Sequence, residues 1–152
     1  MTTDFERYAQ KGDEFLHRLS IRLGDEHNKA RAMRILRSVF NILRQRLTTE
    51  ESLQMISQLP VALKGLYVDG WKLHHGKSPI KTIEQFAEEV AQIDRQARRG
   101  DFYSDEEVMI ALHAVLETLA DYVSPGEIED MISVLPEELK LLMESWMMKY
   151  KL

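Results

Sequence analysis

One motif occurs twice in this chain. Met-Ile-Ser-x-Leu-Pro stands at Met55–Pro60 and again at Met131–Pro136. Pairing each residue from Lys29 to Lys64 with the residue 76 positions on gives 12 identities over 36 positions without a gap. They include Met33/Met109, Leu36/Leu112, Val39/Val115, Leu43/Leu119, Ile56/Ile132 and Leu63/Leu139. Most are apolar and recur at the spacing of one helix face. The others include a cap (Glu51/Glu127) and a corner (Pro60/Pro136). What is repeated is therefore core and punctuation. Upstream, Phe15 and Leu19 match Phe86 and Val90 at an offset of 71, and Trp71 matches Trp146 at 75. A unit of this length lies outside the ~20–50-residue periods of solenoids. The expectation is an all-α protein of about eight helices, in two homologous four-helix halves packed as a compact bundle. The halves are residues 1–76 and 77–152, joined by a linker at about 74–81.

Local signals place the elements. Thr3-x-x-Glu6 is a capping box opening a helix that carries Phe5, Tyr8, Phe15, Leu16, Leu19 and Leu23. Gly12 is its weak point, either tolerated or a break with Asp13 capping a shorter helix, and Gly24 closes it. A second helix is expected from about His27 to Arg46, with Ala32, Ile35, Leu36, Val39, Phe40 and Leu43 on one face and Arg34, Arg37 and Arg44 opposite. Thr48-x-x-Glu51 caps a short third helix, Pro60 ends it, and Leu63, Leu66, Tyr67 and Trp71 form the stripe of a fourth. Gly76, Ser78 and Pro79 punctuate the linker. Beyond it the plan repeats: a helix from about Thr82 to Arg99, one after the capping box Ser104-x-x-Glu107, one beginning at Pro125, and a last one opened by Pro136. No stretch alternates with period two, so no strands are expected.

Composition removes several function classes. With no cysteine there is no disulfide framework, thiolate metal site or cysteine nucleophile. The N-terminus lacks the apolar core of a secretory signal, and no apolar run approaches the ~20 residues that span a bilayer. A cytoplasmic protein is expected. The net charge of −5 is unevenly spread: residues 1–76 carry +3 and residues 77–152 carry −8. Such asymmetry marks a nucleic-acid face, head-to-tail association, or surface drift between diverged halves.

Two longer segments, FERYAQKGDEFLHRL and RAMRILRSVFNILRQRLTTEESLQMISQ, lead into LPVALKGLYVDGW, the most specific stretch. Together they resemble the bacterial family catalogued as domain of unknown function 2267. The resemblance spans nearly the whole chain and implies a helical, duplicated protein with no established activity, so it carries over no site residues. The second copy departs from it where Tyr67-Val68-Asp69-Gly70 gives way to Leu-Met-Glu-Ser.

Catalytic constellations are missing. There is no phosphate-binding glycine loop, Gly-x-Ser-x-Gly elbow or His-Glu-x-x-His. Glu14-x-x-His17 has the spacing of a di-iron carboxylate motif, but such a site needs a second copy, which is absent. His74-His75 lies in the linker without a third ligand, and His27 and His113 have no partner by spacing. The acidic runs Asp105-Glu106-Glu107 and Glu127-x-Glu129-Asp130 fall in first turns of helices, where they complement the dipole. No catalytic residue, metal or cofactor is assigned. The expected function is a non-catalytic protein-binding or self-associating helical module. Its expected partner surface is Leu66, Tyr67, Asp69 and Trp71, with Trp146 and Met147 from the second copy. The alternative is a nucleic-acid-associated regulator using a basic helix face, Arg31–Arg46, with Arg34, Arg37 and Arg44 facing phosphates. No aromatic side chain interleaves those arginines to stack on bases, which favours the protein-binding reading.

Overall fold

The computed structural model describes residues 2–73, 88, 105–133 and 137–148; the side chains of Arg46, Asp105, Glu106, Glu127, Met131, Glu138, Leu139 and residues 146–148 lie outside that description. The fold is all-α. Seven helices are described: α1 (Asp4–Arg22), α2 (Lys29–Arg46), α3 (Thr49–Gln58), α4 (Val61–Val68), α5 (Asp105–Ala120), α6 (Pro125–Ser133) and α7 (Glu137–Met148). The linker at 74–81, the helix expected over 82–99 and the corner at Pro136 lie outside the described residues. Among those residues no helix is long and apolar enough to cross a membrane.

Caps set the helix starts. Thr3 and Glu6 exchange side-chain-to-backbone hydrogen bonds at 3.2 and 3.3 Å, and Thr48 and Glu51 do the same at 3.1 and 3.2 Å. Two of the four donors orphaned at each N-terminus are thereby satisfied. α1 runs unbroken through Gly12, and Gly24 follows its end at φ +76°. α2 begins two residues later than its hydrophobic pattern predicts. His27 sits at φ +75°, outside helical space, and the Asn28 side chain accepts from the Arg31 N–H at 3.0 Å. Pro60 turns the chain between α3 and α4 and stands at the N-cap of α4, not inside its first turn.

Lys29 and Asp105, Thr49 and Pro125, and Val61 and Glu137 begin successive helix pairs, and each pair is 76 residues apart. The third pair differs in length. α4 stops at Val68, short of the expected Trp71, because Gly70 at φ +71° turns the chain away; α7 continues to Met148 through Glu144-Ser145.

One core holds residues from both halves. Phe15 and Leu19 of α1, Ile35, Val39 and Phe40 of α2, and Val108, Leu112, Val115 and Leu119 of α5 are all buried in it. α1 packs on α2, α4 and α5, while α3 packs on α6. The edge of the α1–α5 contact is charged. Arg22 Nη1 donates to Asp121 Oδ2 at 2.7 Å and to Thr118 Oγ1 at 3.1 Å, and its Nε lies 3.4 Å from Glu117. Arg18 reaches Asp121 at 3.4 Å and places its guanidinium 5.5 Å from the Tyr122 ring centroid, whose other neighbour is Phe15, also at 5.5 Å. Part of the opposite charge of the two halves is thus used inside one chain. The Arg22 hydrogen bond, with Arg18 beside it, holds the Asp121 carboxyl below its ordinary range.

Candidate functional site

α4 is the element that shapes the open surface of the first half, and three side-chain devices fix it. At its start it crosses α1 closely: a Cβ on Gly12 would lie 3.2 Å from Ala62 Cβ. Gly12 is therefore the residue that lets the two backbones approach. On its inner face Tyr67 is fully buried, with its hydroxyl 2.9 Å from Ser52 Oγ. The Tyr67 ring meets Phe40 at 5.1 Å and takes Trp71 edge-on at 6.0 Å. Burial pushes the Tyr67 hydroxyl up to about 12, against the opposing pull of the Ser52 hydrogen bond and the Arg44 charge. At its C-terminus Arg44 of α2 donates to the carbonyls of Tyr67 at 3.0 Å and Asp69 at 2.6 Å. A cation is favoured there, since the last carbonyls of a helix lack partners and carry its negative pole.

Open grooves flank this crossing. An apolar one of about 390 Å³ runs between α1, α2 and α4, lined by Gly12, Leu16, Met33, Ala62, Leu66 and Val68 among others. A second, of about 570 Å³, lies between α1 and the α3–α4 corner. Tyr8, Pro60 and Val61 give it apolar walls, and Arg7, Lys11 and Lys64 give it a basic rim. Arg7 is paired with Asp4, and Glu14, the one acid among the described residues lining this groove, is held by Arg18 at 2.9 Å. Lys11 makes no ion pair with the described residues. Among the described residues Lys64 reaches only the Ser57 carbonyl, at 3.4 Å. A smaller depression of about 170 Å³ lies between α2 and α4, beside Arg37, Asn41, Arg44 and Asp69.

The residues expected to form a partner surface do not stay together. Leu66 and Asp69 line open grooves. Tyr67 does not belong to a surface at all: its ring is core and its hydroxyl is spent on Ser52. Trp71 is half-buried against it. The Trp146 and Met147 side chains lie outside the described residues. The basic face is also divided. Arg37 is exposed, Arg31 and Arg34 are half-buried and already engaged, and Arg44 is committed to the end of α4. The opposite-face reading of Arg44 fails because a long side chain can reach past the helix edge to a neighbouring terminus.

Sequence spacing also overlooked the groove around Tyr8, Val61 and Lys64, whose residues are about fifty positions apart. His113, assigned no partner, lies 2.7 Å from Glu117 one turn on. Glu14 turns to Arg18, not to His17, and the His17 ring stands 6.5 Å from that of His27. Groups of three or more His, Asp or Glu side chains placed to hold a metal ion do not occur among the described residues.

A family model described as an uncharacterized conserved protein, DUF2267, matches residues 12–145. The chain belongs to this family. The match opens at Gly12, where α1 crosses α4, and closes at Ser145 in α7, so it takes in both halves of the bundle. Membership in DUF2267 agrees with the resemblance carried by Leu59–Trp71. No curated protein matches the chain.

Proposed function

We propose that the protein is a non-catalytic helical binding module of the bacterial cytoplasm, built from two copies of one unit, whose working face is the pair of grooves beside α4. Shared helix starts and the 12 repeated residues support the duplication. The observation that carries the binding role is the groove at the α3–α4 corner. It combines apolar walls with a rim of Lys11 and Lys64, and neither lysine has an acidic partner among the described residues. An exposed apolar side chain stands in it: Val61 is 48% exposed. Apolar surface rimmed by polar groups is the usual mark of an association site.

The experiment is in-cell cross-linking of the source organism, comparing wild type with a Tyr8→Ala, Val61→Asp variant. Loss of specific cross-linked species, own copies included, with unchanged helicity and melting temperature, is the expected result. Identical cross-linked species from both proteins would refute the role of this face. The nucleic-acid reading has less support, since Arg44 is turned inward and Arg34 is already engaged. Its test is retention on DNA or RNA at low salt, with loss on replacing Arg34, Arg37 and Arg44 together.

A further inference from the structure

We infer that the groove at the α3–α4 corner receives the outer face of α7 from a second copy of the chain, joining copies head to tail. This rests on the binding role proposed above and names the occupant. α7 turns Met143 into the core and leaves Glu137, Leu141 and Glu144 exposed. Residues four and three apart share one side of a helix, so these three form a single stripe, acid–leucine–acid, about 10 Å long. Leu141 is 57% exposed, and neither glutamate has a side-chain hydrogen-bond or ion-pair partner among the described residues. The groove offers the complement: Tyr8, Pro60 and Val61 for a leucine, and Lys11 and Lys64 for flanking carboxylates. The wider charge distribution points the same way, with +3 on residues 1–76 and −8 on residues 77–152. Among the described residues, Arg18 and Arg22 neutralise part of that difference internally. Groove and stripe are different surfaces, so the contact is heterologous and either closes into a ring or continues as a filament. Opposite charges at a rim steer association and are screened by salt, so the assembly weakens as ionic strength rises.

The test is the mass of the full chain in solution by sedimentation, from micromolar to about 1 mM, a range that spans weak contacts. Wild type should rise above the single-chain 17.7 kDa with concentration. Leu141→Asp, at an exposed position, should return it to one chain with unchanged circular dichroism. A reversed groove (Lys11→Glu with Lys64→Glu) and a reversed stripe (Glu137→Lys with Glu144→Lys) should each weaken association tenfold or more. Mixing the two variants should restore it, because each then meets its opposite. A wild-type chain that stays at 17.7 kDa throughout, an assembly indifferent to Leu141→Asp, or a mixture that does not recover would overturn the inference. A single-chain mass together with cross-linked foreign proteins lost on altering Tyr8 and Val61 would overturn only the choice of occupant.

Discussion

The hydroxyls of Ser52 and Tyr67 are buried together and satisfy each other at 2.9 Å. A lone buried hydroxyl costs about 1–3 kcal/mol, whereas replacing both partners is nearly neutral. Ser52→Ala and Tyr67→Phe should each destabilise by about 1–2 kcal/mol, and the double variant by clearly less than their sum, as a denaturation double-mutant cycle would read. The same burial predicts an alkaline limb. Tyr67 and Tyr122 are both pushed up to about 12, Tyr122 also mainly by burial with Glu14 adding to it. The unfolded chain releases these protons near the ordinary value of 10, so the folded state holds more protons between 10 and 12. Stability from these groups is complete below 10 and is lost as the pH rises toward 12. Ultraviolet titration should show a late-ionising class near pH 12 that shrinks in Tyr67→Phe.

At the scale of elements, α4 and α7 begin 76 residues apart and end differently. Gly70 stops α4 after eight residues, and Arg44 fills the vacated hydrogen-bonding positions at its end. The position 76 residues after Arg44 is Ala120, which has no side chain to donate, and α7 runs on to Met148. Arg44→Ala should cost about 1.5–3 kcal/mol, the range for hydrogen bonds to a charged group, and should speed amide exchange in α4 more than in α2. The crossing of α1 and α4 depends on Gly12 in the same way. Gly12→Val brings a branched side chain against Ala62, already 3.2 Å from a bare Cβ, and should destabilise by about 1–3 kcal/mol in thermal melts. Sequence marked Gly12 as a helix weakness; its space requirement is a property of the neighbour that the fold supplies.

For the whole molecule, the join between halves is an apolar core edged by Arg18, Arg22, Glu117 and Asp121. Asp121 holds its proton less tightly folded than unfolded, so its contribution is complete above the ordinary value of 3.8 and is lost as the pH falls below it. Asp121→Asn should flatten the acid limb of the stability curve below that pH while costing about 1 kcal/mol at neutrality, measured by urea unfolding across pH. These residues lie about a hundred positions apart in the chain, so their charge asymmetry was visible but their pairing was not.

Sequence by itself determined the class and most of the element starts. Hydrophobic period, capping boxes, Pro60 and Gly24 act within a few residues, and local physics suffices to place them. Three pairs of described helices begin 76 residues apart, the same spacing as the repeated residues. Tertiary structure decided everything that depends on which face meets what. It turned Tyr67 from an expected surface residue into core, drew Arg44 off its basic stripe to the end of α4, and ended α4 before Trp71. It also gathered Tyr8, Val61 and Lys64 into one groove from two distant segments. Burial, helix crossings and the partners of long side chains are set by contacts remote in sequence, and no local pattern encodes them.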